Sequence, residues 1–149
     1  MFRPITAADK ALYLQYADAF YHTDAVDSPV PPEHYEITFN ELMRGDEYVK
    51  CYIFETDEEH APCGFALLSK TFSQEAGGVS VTIEEIYIEE EHRGKGLATA
   101  FFKYLKGLPN IARLRIEVED DNEGAKRLYQ RMGFGLLPYL QMVTDKFKG

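Results

Sequence analysis

The residues that most restrict the fold lie past the middle of the chain. There Val79–Ile88, an alternating and β-branched run, passes through Glu89–His92 into Arg93-Gly94-Lys95-Gly96-Leu97-Ala98 and straight into a helical pattern. Leu97, Ala100, Phe101, Tyr104 and Leu105 keep the i, i+3, i+4, i+7, i+8 rhythm of a buried helix face, closed by Gly107 and Pro109. A strand, a glycine turn and a helix in immediate succession imply a layer of helix on sheet.

Both flanks agree with this reading. Upstream, Phe2–Ile5 predicts a short strand, and Thr6 to Asp9 an N-cap. A helix follows, with Leu12, Tyr16, Ala19 and Phe20 on its inner face, and gives way to the turn-rich stretch His22–Pro32. A second helix spans about Glu33–Arg44 and stops before Gly45. Tyr48–Thr56 and Cys63–Phe72 alternate as strands joined by the charged turn Asp57–Ala61. With Val79–Ile88 after the break at Gly77-Gly78, they form an antiparallel meander. Downstream, Arg113–Glu119 alternates as a strand, and Asn122 caps a helix whose Ala125, Leu128, Tyr129 and Met132 share a face and which Gly133 ends. Leu136–Lys146 supplies one or two final strands. The expectation is one domain over residues 1–149, α/β (α+β), with a single mixed sheet.

Composition excludes several functions. Sixteen basic against 25 acidic residues leave a net charge of −9, the wrong sign for a general binder of nucleic acid or anionic membrane and the right sign for a cationic partner. Cys51 and Cys63 stand apart without a CxxC spacing or nearby histidines, so they read as reduced core thiols, and no metal site is expected. No apolar run is long enough to span a bilayer and the start lacks a secretory h-region, which predicts a soluble cytoplasmic protein.

Chemistry concentrates at the glycine turn. Glycines at a helix start let several backbone N–H groups converge on one point that already carries the positive end of the helix dipole, and Arg93 and Lys95 add full charges there. An acidic chain thus reverses sign locally, as a pyrophosphate site requires. Gly94-Lys95-Gly96 is neither the Walker phosphate loop nor a dinucleotide fingerprint, since Thr99 stands where the third glycine of the latter belongs. One helix and one strand later comes Asn122-Glu123-Gly124-Ala125, continuing through Leu128-Tyr129 to Gly133-Phe134. By itself that stretch is a capped helix with a core face.

Taken in order and at this separation, Arg93-x-x-Gly96-x-Ala98 and the Asn122–Phe134 stretch resemble the two central motifs of the GCN5-related N-acetyltransferases (GNAT), specifically over about Ile83–Phe134. The resemblance implies a mostly antiparallel sheet of six to seven strands, splayed between the fourth and fifth, with about four helices. It implies acetyl-CoA as co-substrate. The pyrophosphate would be held at Arg93, Gly94, Lys95, Gly96, Leu97 and Ala98, the pantetheine arm along Ile86, Tyr87 and Ile88, and Asn122 would touch the cofactor at the mouth of the splay. Homodimers are common in such a family.

Acetyl transfer to an amine needs a neutral nitrogen, yet an alkylamine with a pKa of about 10.4 is protonated near neutral pH, so a base is required. Glu84 and Glu85 precede the pantetheine strand, and alternation lets only one of them face the acetyl group. The resemblance suggests Glu84 as base and Glu85 as a substrate-binding or structural residue. Tyr129 is the candidate proton donor to the departing thiolate, and a backbone N–H of the Glu85–Tyr87 region the candidate oxyanion partner. His22, His34 and His60 have no nucleophile at an interpretable spacing and His92 sits beside glutamates, which favours direct transfer over an acyl-enzyme. The acceptor is expected under the first two helices, near Tyr21, Asp24, Asp27, Glu33 and Tyr35, where acids and aromatics suit a small cationic amine. A protein or peptide amine is the alternative acceptor, and a non-catalytic CoA sensor the alternative function.

Overall fold

The computed structural model describes residues 1–23 and 30–146. The elements are β1 (Phe2–Pro4), α1 (Lys10–Tyr21), α2 (Glu33–Arg44), β2 (Val49–Glu55), β3 (Pro62–Ser73), β4 (Gly78–Ile88), α3 (Leu97–Lys106), β5 (Ile111–Ile116) and α4 (Glu123–Arg131). The three alternating runs of the central region form the expected meander: β1 to β4 pair antiparallel in sequence order, and β5 closes the sheet by pairing parallel to β4.

Alternation in β2 and β3 feeds two cores, because helices cover both faces of the sheet and a strand buried on both sides has few polar positions. Cys51, Ile53, Phe65 and Leu67 point to the α1 and α2 side, while Tyr52, Phe54, Ala66 and Leu68 point to the α3 side with Val81, Ile83, Phe101, Phe102 and Leu105. The two cysteines are buried, unpaired, and divided between these two layers. On α1 the fully buried stripe is Tyr13, Tyr16 and Ala17, with Leu12 and Phe20 at its half-buried margins and not at its centre. The shift is favourable because Tyr13 meets Phe39 and Phe65 with ring centroids 5.9 and 5.8 Å apart.

The start of α1 is tied to the sheet by charge. Arg3 donates from both terminal nitrogens to Asp9 (2.8 and 3.0 Å) and from Nε to Glu55 (3.0 Å), while the Thr6 amide and hydroxyl also donate to Asp9. These bonds, led by the one from Arg3, hold the Asp9 carboxyl down at about 2.

Two expectations need correction. Strand β5 runs from Ile111 to Ile116 instead of Arg113 to Glu119, and the described residues form five strands, not six to seven. The missing strands are those expected in Leu136–Lys146, which holds no strand among the described residues. A strand needs a partner edge as well as an apolar pattern, and here Leu140 and Met142 are each 98% exposed. Pro138 also withholds one ladder donor. The four helices agree with expectation.

Candidate active site

The site is organised by an irregularity in β4. Leu67 of β3 faces Glu85 and Leu68 faces Ile83, which leaves Glu84 as an extra residue without a partner. Strict alternation puts Ile83 and Glu85 on the same face of the sheet. The bulge at Glu84 resets the phase, so Ile83 stays in the α3 layer while Glu85 and Tyr87 turn to the α1 and α2 layer.

Glu85 is thereby carried into the protein, 4% exposed, with Oε2 lacking any hydrogen-bond partner. Burial is the main cause that lifts its carboxyl from 4.5 to about 7. The nearby Glu84 charge adds to the rise, and the Tyr21 hydroxyl opposes it by favouring the ionised form. Tyr13, Tyr21 and Tyr35 surround this charge, and each phenol is raised by burial first and by Glu85 in addition. Tyr21 stacks on Tyr35 with centroids 5.7 Å apart and planes at 21°. Glu84 itself is exposed and accepts a hydrogen bond from the Ser69 hydroxyl (2.5 Å).

On the β5 side the same strand is open. Pairing to β5 covers Val79 to Ile83, and β4 continues five residues further without it, which is the expected splay. The Glu89 amide donates to the Cys63 carbonyl of β3 (2.9 Å), so by alternation Ile86 and Ile88 turn their backbone groups to the open side. One of these groups is already used, since Arg93 Nε donates to the Ile88 carbonyl (2.7 Å) while its guanidinium lies 5.7 Å from the Tyr87 ring centroid. A groove of about 210 Å³ runs along this edge, lined by Ile86, Ile88, Arg93, Ala98, Phe102, Leu128 and Tyr129.

The glycine turn closes one end of that groove. Gly94 and Gly96 have φ of 73° and 82°, a left-handed conformation that side chains resist. Gly96 is the residue before α3 and supplies no side-chain cap, and among the described residues the N–H groups of Leu97, Ala98 and Thr99 have no acceptor. The turn is anchored from below by Tyr16, whose hydroxyl donates to Glu89 Oε1 at 2.7 Å.

Of the residues singled out from sequence, the structure brings Ile86, Ile88, Arg93, Ala98 and Tyr129 to the groove, with Gly94, Lys95, Gly96 and Leu97 forming the adjoining turn. Tyr87 points to the opposite face with Glu85. Asn122 does not line the groove, because its side-chain oxygen accepts the Ala125 N–H (3.1 Å) as the cap of α4. Asp24 and Asp27 lie outside the described residues. Phe102 and Leu128 line the groove without having been singled out for it. The signal was the four-residue step from Ala98 to Phe102, which places both on one side of α3. Tyr129 packs edge-on against Phe102 and Phe134, and burial raises its phenol pKa.

A five-stranded mixed sheet with helices on both faces, opened along one strand edge beside a glycine turn, defines the class as an α/β domain with a groove between its fourth strand and its third and fourth helices. The particular family follows from comparison. The model of the acetyltransferase (GNAT) family matches residues 11–134, and the chain belongs to that family. No curated protein sequence matches it. Among solved structures it is similar to a possible acetyltransferase from Clostridium difficile 630 (TM-score 0.81, 17% identity, covering 97% of this chain and 96% of that one). It is also similar to a ribosomal-protein-alanine N-acetyltransferase from Brucella melitensis biovar Abortus 2308 (TM-score 0.71, 17% identity, 97% and 99% covered). A third is AAC(6')-Iy in complex with the bisubstrate analog CoA-S-monomethyl-acetylneamine (TM-score 0.74, 14% identity, 98% and 97% covered). At these identities the likeness is one of fold. Among the described residues no helix is long and apolar enough to cross a membrane.

Proposed function

We propose that this chain transfers the acetyl group of acetyl-CoA directly to the amine of a small cationic acceptor, with Glu85 as the general base. The observation that carries the reading is the buried, half-unpartnered Glu85 carboxyl with its pKa near 7, set on the strand whose open edge faces the groove. A carboxylate of that strength is partly ionised at neutral pH and accepts a proton far better than an ordinary glutamate. Glu85 therefore takes the role that the family resemblance suggested for Glu84, whose exposed carboxylate is bonded to Ser69.

The residues present suit acetyl-CoA. The free N–H groups at the start of α3, with Arg93 and Lys95, are matched to its pyrophosphate, and the open edge at Ile86 and Ile88 to its pantetheine amides. Bound there, the co-substrate supplies an activated acyl group as a thioester. The chain does the rest: Glu85 removes the ammonium proton, a backbone N–H on the open edge of β4 stabilises the oxyanion, and Tyr129 donates a proton to the departing sulfur. Tyr129 lines the groove, and its phenol is protonated at neutral pH and can donate a hydrogen bond or proton.

The acceptor enters from the α1 and α2 side. The stacked Tyr21 and Tyr35 rings and the Glu85 charge together favour an ammonium, and the chain's net charge of −9 draws cations in. The test is release of free thiol from acetyl-CoA over a panel of amines that includes aminoglycosides, polyamines and peptides. Release driven by a small cationic amine, and lost in Glu85→Gln, is the expected result. CoA binding with no amine-dependent release would make the chain a sensor instead.

A further inference from the structure

The face of the sheet that carries Glu85 continues beyond it as a polar platform. By register, Thr71 of β3, Ser80 of β4 and Arg113 of β5 lie side by side, and Ser69, Thr82 and Arg115 form the next row. The residues between them, Val81 and Leu114, belong to the α3 layer, so alternation turns both rows to the α1 and α2 side. No described residue of β5 contributes to the core under α1 and α2, which leaves this part of the face without an apolar cover. The platform adjoins the acceptor end of the site, because the Ser69 hydroxyl donates to Glu84, the neighbour of Glu85.

Two groups on the platform are uncommitted. Ser80 is 2% exposed and its Oγ has no hydrogen-bond partner, a costly condition for a buried hydroxyl. Of the three arginines in the sheet, Arg3 is paired with Asp9 and Glu55 and Arg113 with Glu75 (3.0 Å), whereas the Arg115 guanidinium has no carboxylate partner among the described residues. A partly buried guanidinium beside strand hydroxyls is a donor set for an oxyanion: its planar fork takes two oxygens and the hydroxyls donate to the others. Resting on acetyl transfer at Glu85, the geometry points to an acceptor that carries, besides its amine, a carboxylate or phosphate held by Arg115 with Thr82 and Ser80. Arg115 is then the residue that sets acceptor specificity. It stands opposite Thr82, three positions before Glu85 on β4, so at about 3.3 Å per residue the anion lies roughly 7–10 Å from the amine. The ammonium end meets the tyrosines and Glu85, and the anionic end meets the one sheet arginine left free to bind it.

Three terminal amines of similar length test this: ω-aminohexanoate, ω-aminopentyl phosphate and the neutral ω-aminohexanol. Thiol release from acetyl-CoA gives kcat/KM for each, and calorimetry in the presence of CoA gives its binding. In the wild type one or both anionic amines should exceed the alcohol by about tenfold to a hundredfold, mainly through KM, and the better of the two tells carboxylate from phosphate. Arg115→Gln should bring the ratio of anionic to neutral kcat/KM to about one, with CoA still bound as evidence of an intact fold. Thr82→Val, which keeps the shape of the side chain, should lower the same ratio about threefold or more. Equal kcat/KM for all three amines in the wild type overturns the proposal, as does a preference that survives Arg115→Gln. If none of the three is turned over, binding decides: Arg115-dependent binding of an anionic amine upholds the anion site while the acetyl-transfer reading falls, and equal binding of all three overturns the anion site.

Discussion

Replacing Glu85 by Gln removes one charge from the least solvated carboxylate of the described sheet, and two separate measurements follow from that one change. In the folded protein the carboxyl is raised from 4.5 to about 7, and at about 1.36 kcal/mol per pH unit this corresponds to roughly 3 kcal/mol. Below pH 4.5 the group is protonated in the folded and unfolded chain alike and its burial has no pH-dependent cost. As pH rises toward 7 the unfolded chain ionises freely while the buried group resists, so native stability falls across that window and levels off above it. For a chain of this length about 3 kcal/mol amounts to roughly 6–12 °C in Tm. Thermal melts between pH 4.5 and 8 should show the decline in the wild type and its absence in Glu85→Gln. The slope is the readout, because the amide introduces a buried donor whose own cost shifts both ends of the curve equally. Thiol release gives the second measurement: kcat/KM of the wild type should rise through an apparent pKa near 7, and the variant should lose about 10²–10⁴ in kcat together with that acid limb. An unaltered limb in the variant would refute Glu85 as base, and an unaltered melting slope would refute the burial that sets its pKa.

Other residues yield sharper separations of binding from chemistry. Tyr129→Phe keeps the packing against Phe102 and Phe134, so calorimetric acetyl-CoA affinity should hold within about twofold while kcat falls by roughly tenfold or more. Equal kcat would remove the phenol from the reaction. Gly96→Ala adds a methyl that meets nothing within 4 Å, so its cost is conformational, about 1–2 kcal/mol for a side chain at φ 82°. Relief of that strain reorients the turn, and CoA should bind about tenfold more weakly by titration calorimetry. At Gly64 the reverse holds: a Cβ would lie 2.4 Å from the Tyr87 carbonyl oxygen, so Ala must push β3 from β4 and should lower stability by roughly 1–3 kcal/mol in chemical denaturation.

Much of this protein was legible before any coordinates. Period-two alternation in Tyr48–Thr56, Cys63–Phe72 and Val79–Ile88 specified the meander, because a strand buried on both faces has few other ways to satisfy its apolar residues. The glycines of the turn were legible for a local reason too: φ of 73° and 82° is a single-residue property that L side chains resist. Position along the chain also separated the groove-side motif from the helix that carries Tyr129.

What alternation could not locate was its own interruption. A bulge depends on how β3 and β4 register against each other, and that register decides which of two adjacent glutamates is buried and which is solvated. The α1 stripe kept Tyr16 but took Tyr13 and Ala17 in place of Leu12 and Phe20, because partner rings on α2 and β3 set where tyrosine packs best. The run from Leu136 to Lys146 had a strand's composition without a strand's partner. Local sequence thus determined most of the elements and the glycine turn, which depend on neighbours along the chain. Tertiary structure alone buried Glu85 and left Glu84 exposed, and left β5 without a further partner strand among the described residues, since burial and strand pairing depend on residues brought together from distant parts of the chain.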